Sequence, residues 1–285
     1  MSTFRPISVS TIRFSAILNH PHNPTGAVYD RAELEALAQT CRASGVVVIA
    51  DEIYALTAFD RKSFTSMGEI YPEGTVVTGG LSKDRSAGGY RLGVGVFPAQ
   101  EKRLLESVLK IAGSTYSCVA APIQHAAVKG YSLDDDIEAH IRDCAAVNTL
   151  VGEQMASLFC AHGAQTRAPR GAFYLFVDWS HEAENFRRFG LSTSPAVAEH
   201  VLQIEHTAML PGNALLLDDN EIAFRCSFVD YDGDQALEDW RRARPSSSSE
   251  REDFVRRNCP LLTDGASYLG RYLEQVSAGT EPRHV

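Results

Sequence analysis

Apolar and polar positions change period several times along this chain, and the changes mark strands alternating with helices. Ile12 to Leu18 alternates and then turns apolar, which predicts a strand ending in Asn19-His20-Pro21-His22-Asn23-Pro24-Thr25-Gly26, where the prolines stop it. Asp30 and Glu33 form a capping box for a helix whose Leu34, Leu37, Ala38 and Cys41 make one apolar stripe, and Gly45 closes it. Val46 to Ala50 is a continuous apolar run, the pattern of a strand buried on both faces, and it delivers Asp51-Glu52-Ile53-Tyr54 at its C-terminal end. Val76-Val77-Thr78 is a short β-branched strand running into Gly79-Gly80, and Leu92 to Phe97 is a further strand stopped by Pro98.

Helical spacing dominates beyond Pro98. Glu101 to Ile111 is amphipathic, and Asp135 to Phe159 has the length of a bridging helix. A strand at Ala172 to Asp178, a helix at Pro195 to His206 and a strand pair at Ala214 to Leu217 and Glu221 to Phe228 read as a smaller α+β domain. Pro245 and Ser246 to Ser249 read as a polar, mobile linker to a last amphipathic helix near Ala266 to Val276. The expected fold class is α/β: a mostly parallel sheet with flanking helices over residues 1–134, then the bridging helix and a small α+β domain over residues 135–285.

Composition narrows the class. At 285 residues, 44% hydrophobic and 22% charged, the chain has the make-up of a globular protein with a sizeable core. A formal charge of −9 speaks against a phosphate-backbone footprint, so no nucleic acid partner is expected. Met1 to Ser10 lacks the apolar stretch of a signal peptide and no apolar run approaches membrane-spanning length, so a cytoplasmic protein without a membrane partner is expected. Cys41, Cys118, Cys144, Cys160, Cys226 and Cys259 are scattered singly, which predicts reduced, mostly buried thiols. His20 and His22 flank a proline with no acidic or cysteine partner at ligand spacing, so no metal is expected.

The richest chemistry lies in Thr78-Gly79-Gly80-Leu81-Ser82-Lys83-Asp84-Arg85-Ser86-Ala87-Gly88-Gly89-Tyr90-Arg91. A lysine behind a strand, between a hydroxyl and glycines and with an arginine eight residues on, suits an amine that condenses with an aldehyde beside a bound phosphate. Three predicted strand ends carry Asn23, then Asp51 with Tyr54, then Ser82 with Lys83, and ligands of open α/β sheets bind outside the carboxyl ends of the strands. Taken singly each residue has a plainer reading: Lys83 a solvated surface charge, Asp51 a helix cap, Tyr54 a packed aromatic, Asn23-Pro24-Thr25-Gly26 a turn, Arg225 an exposed strand residue.

Together these stretches resemble the class I and II aminotransferases, fold-type I enzymes that use pyridoxal 5′-phosphate. The resemblance rests on Asn23-Pro24-Thr25-Gly26, Asp51-Glu52-Ile53-Tyr54, Ser82-Lys83 with Gly89-Tyr90-Arg91, Gly171-Ala172-Phe173-Tyr174 and Phe224-Arg225-Cys226-Ser227-Phe228, in that order along roughly Ile12 to Asp230. It implies an aspartate-aminotransferase-like large domain and amino-group transfer between an amino acid and a 2-oxo acid. Lys83 would form the internal aldimine and move the proton between substrate and cofactor, and Asp51 would pair with the pyridinium nitrogen. Asn23 and Tyr54 would hydrogen-bond the phenolic oxygen, Ser82 and Arg91 the phosphate, and Arg225 the substrate α-carboxylate. Gly171 to Tyr174 reads as structural, the entry to a small-domain strand, although the resemblance places it near the substrate mouth.

The resemblance also implies a departure. Family members carry about another domain half ahead of the Asn-Pro-Thr-Gly loop, with a glycine-rich phosphate turn and an aromatic that stacks on the cofactor ring; only Met1 to Thr11 precedes the first matching strand here, and Phe4 is a slender substitute. The chain is therefore expected to be truncated at its N-terminus, with a contiguous sheet centre whose two flanks are unpaired. Two readings stay open at this stage: a pyridoxal-phosphate enzyme, homodimeric as its family usually is, and a truncated, weak or inactive homologue serving binding or assembly, or a gene-model fragment. Within enzymes, a related pyridoxal-phosphate lyase uses the same lysine and aspartate.

Overall fold

The computed structural model describes residues 14–132 and 134–282, so the start of the first predicted strand and Phe4 lie outside the described residues. The chain divides into two compact units. One holds residues up to His20, Tyr29–Ile53 and Lys62–Tyr131; the other holds Pro21–Val28, Tyr54–Arg61 and Ser132 onward.

The first unit is built on a four-stranded sheet, β1 (Ser15–Asn19), β2 (Val47–Asp51), β3 (Thr75–Gly80) and β4 (Gly93–Val96), paired in that order. The first two pairings are parallel and the third is antiparallel. Parallel neighbours need crossovers, supplied by helix α1 (Arg31–Ser44) between β1 and β2 and by the short α2 (Met67–Ile70) between β2 and β3. Helix α1 forms where the sequence places it: the Asp30 side chain accepts from Glu33 N, the Glu33 carboxylate accepts from Asp30 N, and Gly45 ends it at φ +62°. Its Leu34, Ala38 and Cys41 bury against Val48, Ala50, Met67 and Tyr71.

One expectation needs correcting. In β2 only Val48 and Ala50 are fully buried, while Val47 and Ile49 on the other face are half-covered. The continuous apolar run marks a strand packed hard on one side by α1. Ile17 of β1 and Val96 of β4, on the two edge strands, are 77% and 64% exposed. Helices α3 (Lys102–Thr115) and α4 (Ala121–Gly130) complete this unit.

The second unit centres on α5 (Asp135–Ala161), whose N-terminus is capped by Asp134 and carries Asp135, Asp136 and Glu138 in its first turn, where the helix dipole favours them. It packs with a three-stranded antiparallel sheet, β5 (Tyr174–Asp178), β6 (Leu210–Pro211) and β7 (Ala223–Ser227), in the order β5-β7-β6. Around them lie α6 (Ala183–Arg188), α7 (Ser194–Glu205), α8 (Gly233–Ala243), α9 (Ser248–Asn258) and α10 (Pro260–Ser277). Trp179, Phe186, Phe224 and Tyr272 meet ring on ring in the buried core. Asp143 of α5 accepts from Trp240 Nε1 at 3.0 Å and Arg241 Nε at 2.8 Å, tying α5 to α8.

Three other expectations differ from the structure. Ala214 to Leu217 is not a strand: Gly212–Leu215 is a 3₁₀ turn, closed by Leu216 at φ +67° with its N–H donating to Asn213 O, and the paired strand is Leu210–Pro211. A short apolar run has no period that separates the two cases. Ser246 to Ser249 is not a linker loop, because the Ser247 hydroxyl accepts from Glu250 N and the Glu250 carboxylate accepts from Ser246 N and Ser247 N, starting α9. Of the six cysteines, all free, Cys41 and Cys259 are buried, Cys144 and Cys226 half-buried, and Cys118 and Cys160 exposed.

A buried carboxylate and the capping box of α9 give three predictions. Glu52, directly after β2, is buried and accepts from Ser66 Oγ and Met67 N, both at 2.9 Å, so it caps α2 from below. Burial pushes its carboxyl pKa up, against those two hydrogen bonds. Folding is then favoured most below the ordinary carboxylate range, and the contribution is lost as pH rises through the raised value. Glu52→Gln should match the wild type in acid and exceed its Tm at neutral pH; calorimetry at both ends checks this, and a lower Tm at pH 7 refutes it. Ser247→Ala should cost about 1 kcal/mol in chemical denaturation, whereas a true linker would tolerate it. Glu250 is held down to about 2 by the backbone N–H groups of Ser246 and Ser247, so its contribution is full above its ordinary value of 4.5 and fades as pH falls. Wild type and Glu250→Gln should converge in acid.

Candidate active site

The candidate residues fall into two groups, each built within one unit. In the first unit the parallel register sets Asn19, the last residue of β1, opposite Asp51, the last of β2, and Asp51 opposite Thr78, two residues before the end of β3. Asp51 is half-buried at the end of β2. Its Oδ2 accepts from Asn19 Nδ2 at 3.1 Å and its Oδ1 from Ile53 N at 3.4 Å. Both donors are neutral, and no cation among the described residues pairs with this carboxylate.

Strand β3 runs on into Gly79 and Gly80. A Cβ on Gly80 would stand 2.8 Å from Leu92 O, so only glycine lets β3 and the return chain approach this closely. The turn that follows carries Ser82 and Lys83, both half-buried. It is pinned by its next two residues. Buried Asp84 pairs with Arg85 at 2.7 Å; the Arg85 Nε donates to Gly130 O and its guanidinium lies 4.7 Å from the centre of the Tyr131 ring. Arg91 is exposed, at φ +54°, and its Nη1 donates to Gly88 O at 2.9 Å across the glycine turn.

In the second unit Asn23, Tyr54, Tyr174 and Arg225 form one connected network. Arg225 Nη1 donates to Asn23 Oδ1 at 3.1 Å, and the guanidinium sits 4.6 Å from the centre of the Tyr174 ring. The Tyr174 and Tyr54 hydroxyls are 3.1 Å apart, with Tyr54 4% exposed. Arg225 Nε is buried and has no hydrogen-bond partner, and no carboxylate among the described residues neutralises this guanidinium.

A strut positions these four residues. Pro169 to Ala172 runs beside both the Asn23 loop and the turn after Tyr54: Arg170 N donates to Gly26 O at 2.8 Å, Arg170 Nη1 to Val28 O at 3.0 Å, Phe59 N to Arg170 O at 2.9 Å and Ala172 N to Thr57 Oγ1 at 3.2 Å. Gly26 is at φ +67°, and a Cβ there would stand 2.5 Å from Pro169 Cβ. The Asn-Pro-Thr-Gly stretch is thus a turn by conformation and an anchor by contact. Gly171 to Tyr174 does enter a strand, with Tyr174 opening β5, and the ring and hydroxyl of Tyr174 also join Arg225 to Tyr54. Antiparallel pairing of β5 with β7, which no local pattern announces, brings the two together.

Asn19 was missed. As the first residue past an apolar run, beside two prolines and two histidines, it reads as loop; only the register reveals it as the partner of Asp51. A separate cavity of about 700 Å³ in the second unit, floored by Met155, Phe159, Leu175 and Phe228, is lined by none of the residues above. No group of histidine, cysteine and carboxylate residues among the described residues could hold a metal ion, and none of their helices is long and apolar enough to cross a membrane.

Known proteins resemble the chain in sequence and in fold. An aspartate aminotransferase of Sulfolobus acidocaldarius is 26% identical over 214 residues, covering 75% of this chain and 51% of that protein. The putative aminotransferase YugH of Bacillus subtilis is 33% identical over 212 residues, covering 73% and 50%. Among solved structures, an aromatic aminotransferase of Pyrococcus horikoshii superposes with a TM-score of 0.72 at 23% identity, covering 93% of this chain and 61% of that one. The aspartate aminotransferase of Thermotoga maritima gives 0.66 at 23% identity, covering 92% and 56%. The chain spans about half the length of the curated relatives it matches. The family model for aminotransferase class I and II matches residues 15–236. With that match, and with the Asn-Pro-Thr-Gly, Asp-Glu-Ile-Tyr and Ser-Lys stretches in the family's order, the chain belongs to the class I and II aminotransferases, whose enzymes are generally pyridoxal-phosphate-dependent.

Proposed function

We propose that this chain is the pyridoxal 5′-phosphate-binding part of an aminotransferase moving an amino group between an amino acid and a 2-oxo acid. The observation that carries the reading is Arg225: a half-buried cation held by an amide oxygen and a ring face, with no carboxylate among the described residues to neutralise it. Such a guanidinium offers a bidentate seat for a substrate α-carboxylate. Asp51 is its counterpart, a carboxylate served by neutral donors only and suited to a protonated ring nitrogen. The residues present thus fit the cofactor the family uses.

When bound, that cofactor supplies an aldehyde carbon that takes amines and a pyridinium ring that stores an electron pair. Lys83 would use its Nζ to hold the aldehyde carbon between turnovers and, once displaced, to carry the proton from substrate Cα. Its position after two glycines at a strand end, with the following residues pinned to Gly130 and Tyr131, gives the amine a fixed base. Asp51 would keep the ring nitrogen protonated. Asn23, whose oxygen accepts from Arg225, would offer an amide N–H to the phenolic oxygen. Tyr54 would donate to the same oxygen while accepting from Tyr174. Ser82 and Arg91 would hold the phosphate through a hydroxyl and a planar cation. A homodimer belongs to the proposal and is supported by the apolar side chains that α3 exposes, Leu109 at 61% and Ile111 at 64%.

Incubation with pyridoxal 5′-phosphate, borohydride reduction and peptide mass spectrometry should place a pyridoxyl mass on the peptide bearing Lys83. Lys83→Ala should lose the label, and an unlabelled wild type sinks the reading. Aspartate, the amino acid named in the relatives, is the first donor to titrate into the loaded protein. Arg225→Lys should weaken its binding by about 10- to 100-fold, the worth of about 1.5–3 kcal/mol for a charged hydrogen-bond pair, while leaving the Lys83 label in place.

A further inference from the structure

We propose that Asn19 is the positioning residue for Asp51: it fixes the carboxylate and aims it at the ring nitrogen. The inference rests on the pyridoxal-phosphate reading above and extends it to a residue outside the signature motifs. Asn19 and Asp51 are register partners on adjacent parallel strands, so their side chains emerge on the same side of the sheet about one strand spacing apart. The single Nδ2 of Asn19 lies 3.1 Å from Asp51 main-chain O and 3.1 Å from Asp51 Oδ2. An amide nitrogen carries two hydrogens, and each has one of these oxygens to reach. Asp51 is therefore gripped at two points by one group. Its other oxygen takes the Ile53 N–H, so both carboxylate oxygens are held while the carboxylate remains unneutralised.

The residue type follows from this geometry. An aspartate at position 19 would set two acceptor-only carboxylates against each other, with no N–H to donate to Asp51. A serine could reach one oxygen but not both, and an aliphatic residue neither. His20 N also donates to Asp51 O at 3.0 Å, so the main chain of Asp51 stays anchored when the Asn19 side chain is removed. What is lost is the aim of the carboxylate, not the strand.

The test reads ring-nitrogen recognition and needs no turnover. The full chain is titrated, by cofactor fluorescence, with pyridoxal 5′-phosphate and with its carbocyclic analogue, in which C–H replaces the ring nitrogen. Wild type should prefer the natural cofactor, and Asn19→Leu should shrink that preference by about tenfold, the effect of losing one charge-assisted hydrogen bond. Asn19→Ser should fall between them, and it serves as the working variant if Asn19→Leu does not fold. In an Asp51→Asn background Asn19→Leu should cause no further loss, because the two act as one unit. A folded Asn19 variant with the wild-type preference overturns the inference and leaves the cofactor reading standing. A wild type that binds neither compound, or both equally, overturns the cofactor reading first, and the inference falls with it.

Discussion

The parallel register of β1, β2 and β3 is the constraint on which the first unit's chemistry depends. Because Asn19 lies opposite Asp51 and Asp51 opposite Thr78, β1 and β2 leave the sheet side by side with a polar group at each end, and β3 runs two residues further before the turn that carries Ser82 and Lys83. A slip of one residue would turn Asp51 toward the face packed by α1, where Leu34, Ala38 and Cys41 leave no room for a charge. The apolar stripe of α1 therefore does more than stabilise the unit. By claiming Val48 and Ala50, it fixes which alternate residues of β2 point the other way.

The second unit holds a cation, Arg225, that no carboxylate among the described residues neutralises. Arg225 is steadied by an amide oxygen and by the electron-rich face of Tyr174, which restrain the guanidinium but leave its charge for an anion. The strut from Pro169 to Ala172 makes this possible, because its backbone hydrogen bonds bring the Asn23 loop and the Tyr54 turn to either side of one segment. Contrast Asp143, on which Arg241 and Arg244 converge in a cluster that serves packing alone.

Much of this was legible in the sequence. Asp30 and Glu33 announce α1, Gly45 ends it, and Asn23, Asp51, Tyr54, Ser82, Lys83, Arg91 and Arg225 stand in motifs whose order carries the family. The misreadings share a cause. Ala214 to Leu217 was too short for its apolar residues to show a period, and the serines after Pro245 look like linker until Ser247 and Glu250 are seen exchanging hydrogen bonds. Asn19 escaped because it has no local pattern, and Tyr174 stood in a matching stretch whose contacts the sequence does not give: each meets its partner 32 or 51 residues away, Asp51 for the one and Arg225 on β7 for the other.

The sequence by itself determined most of the elements and the family, since capping, turn chemistry and hydrophobic period act over a few residues and leave a local imprint. Only the tertiary structure decided which carboxylate is served by neutral donors, which arginine is left without a counter-ion and which tyrosine supports another. Those properties belong to pairs of atoms joined by strand register and backbone contact across long stretches of chain. No local pattern can encode them, because the free energy that sets them arises only once distant segments have met.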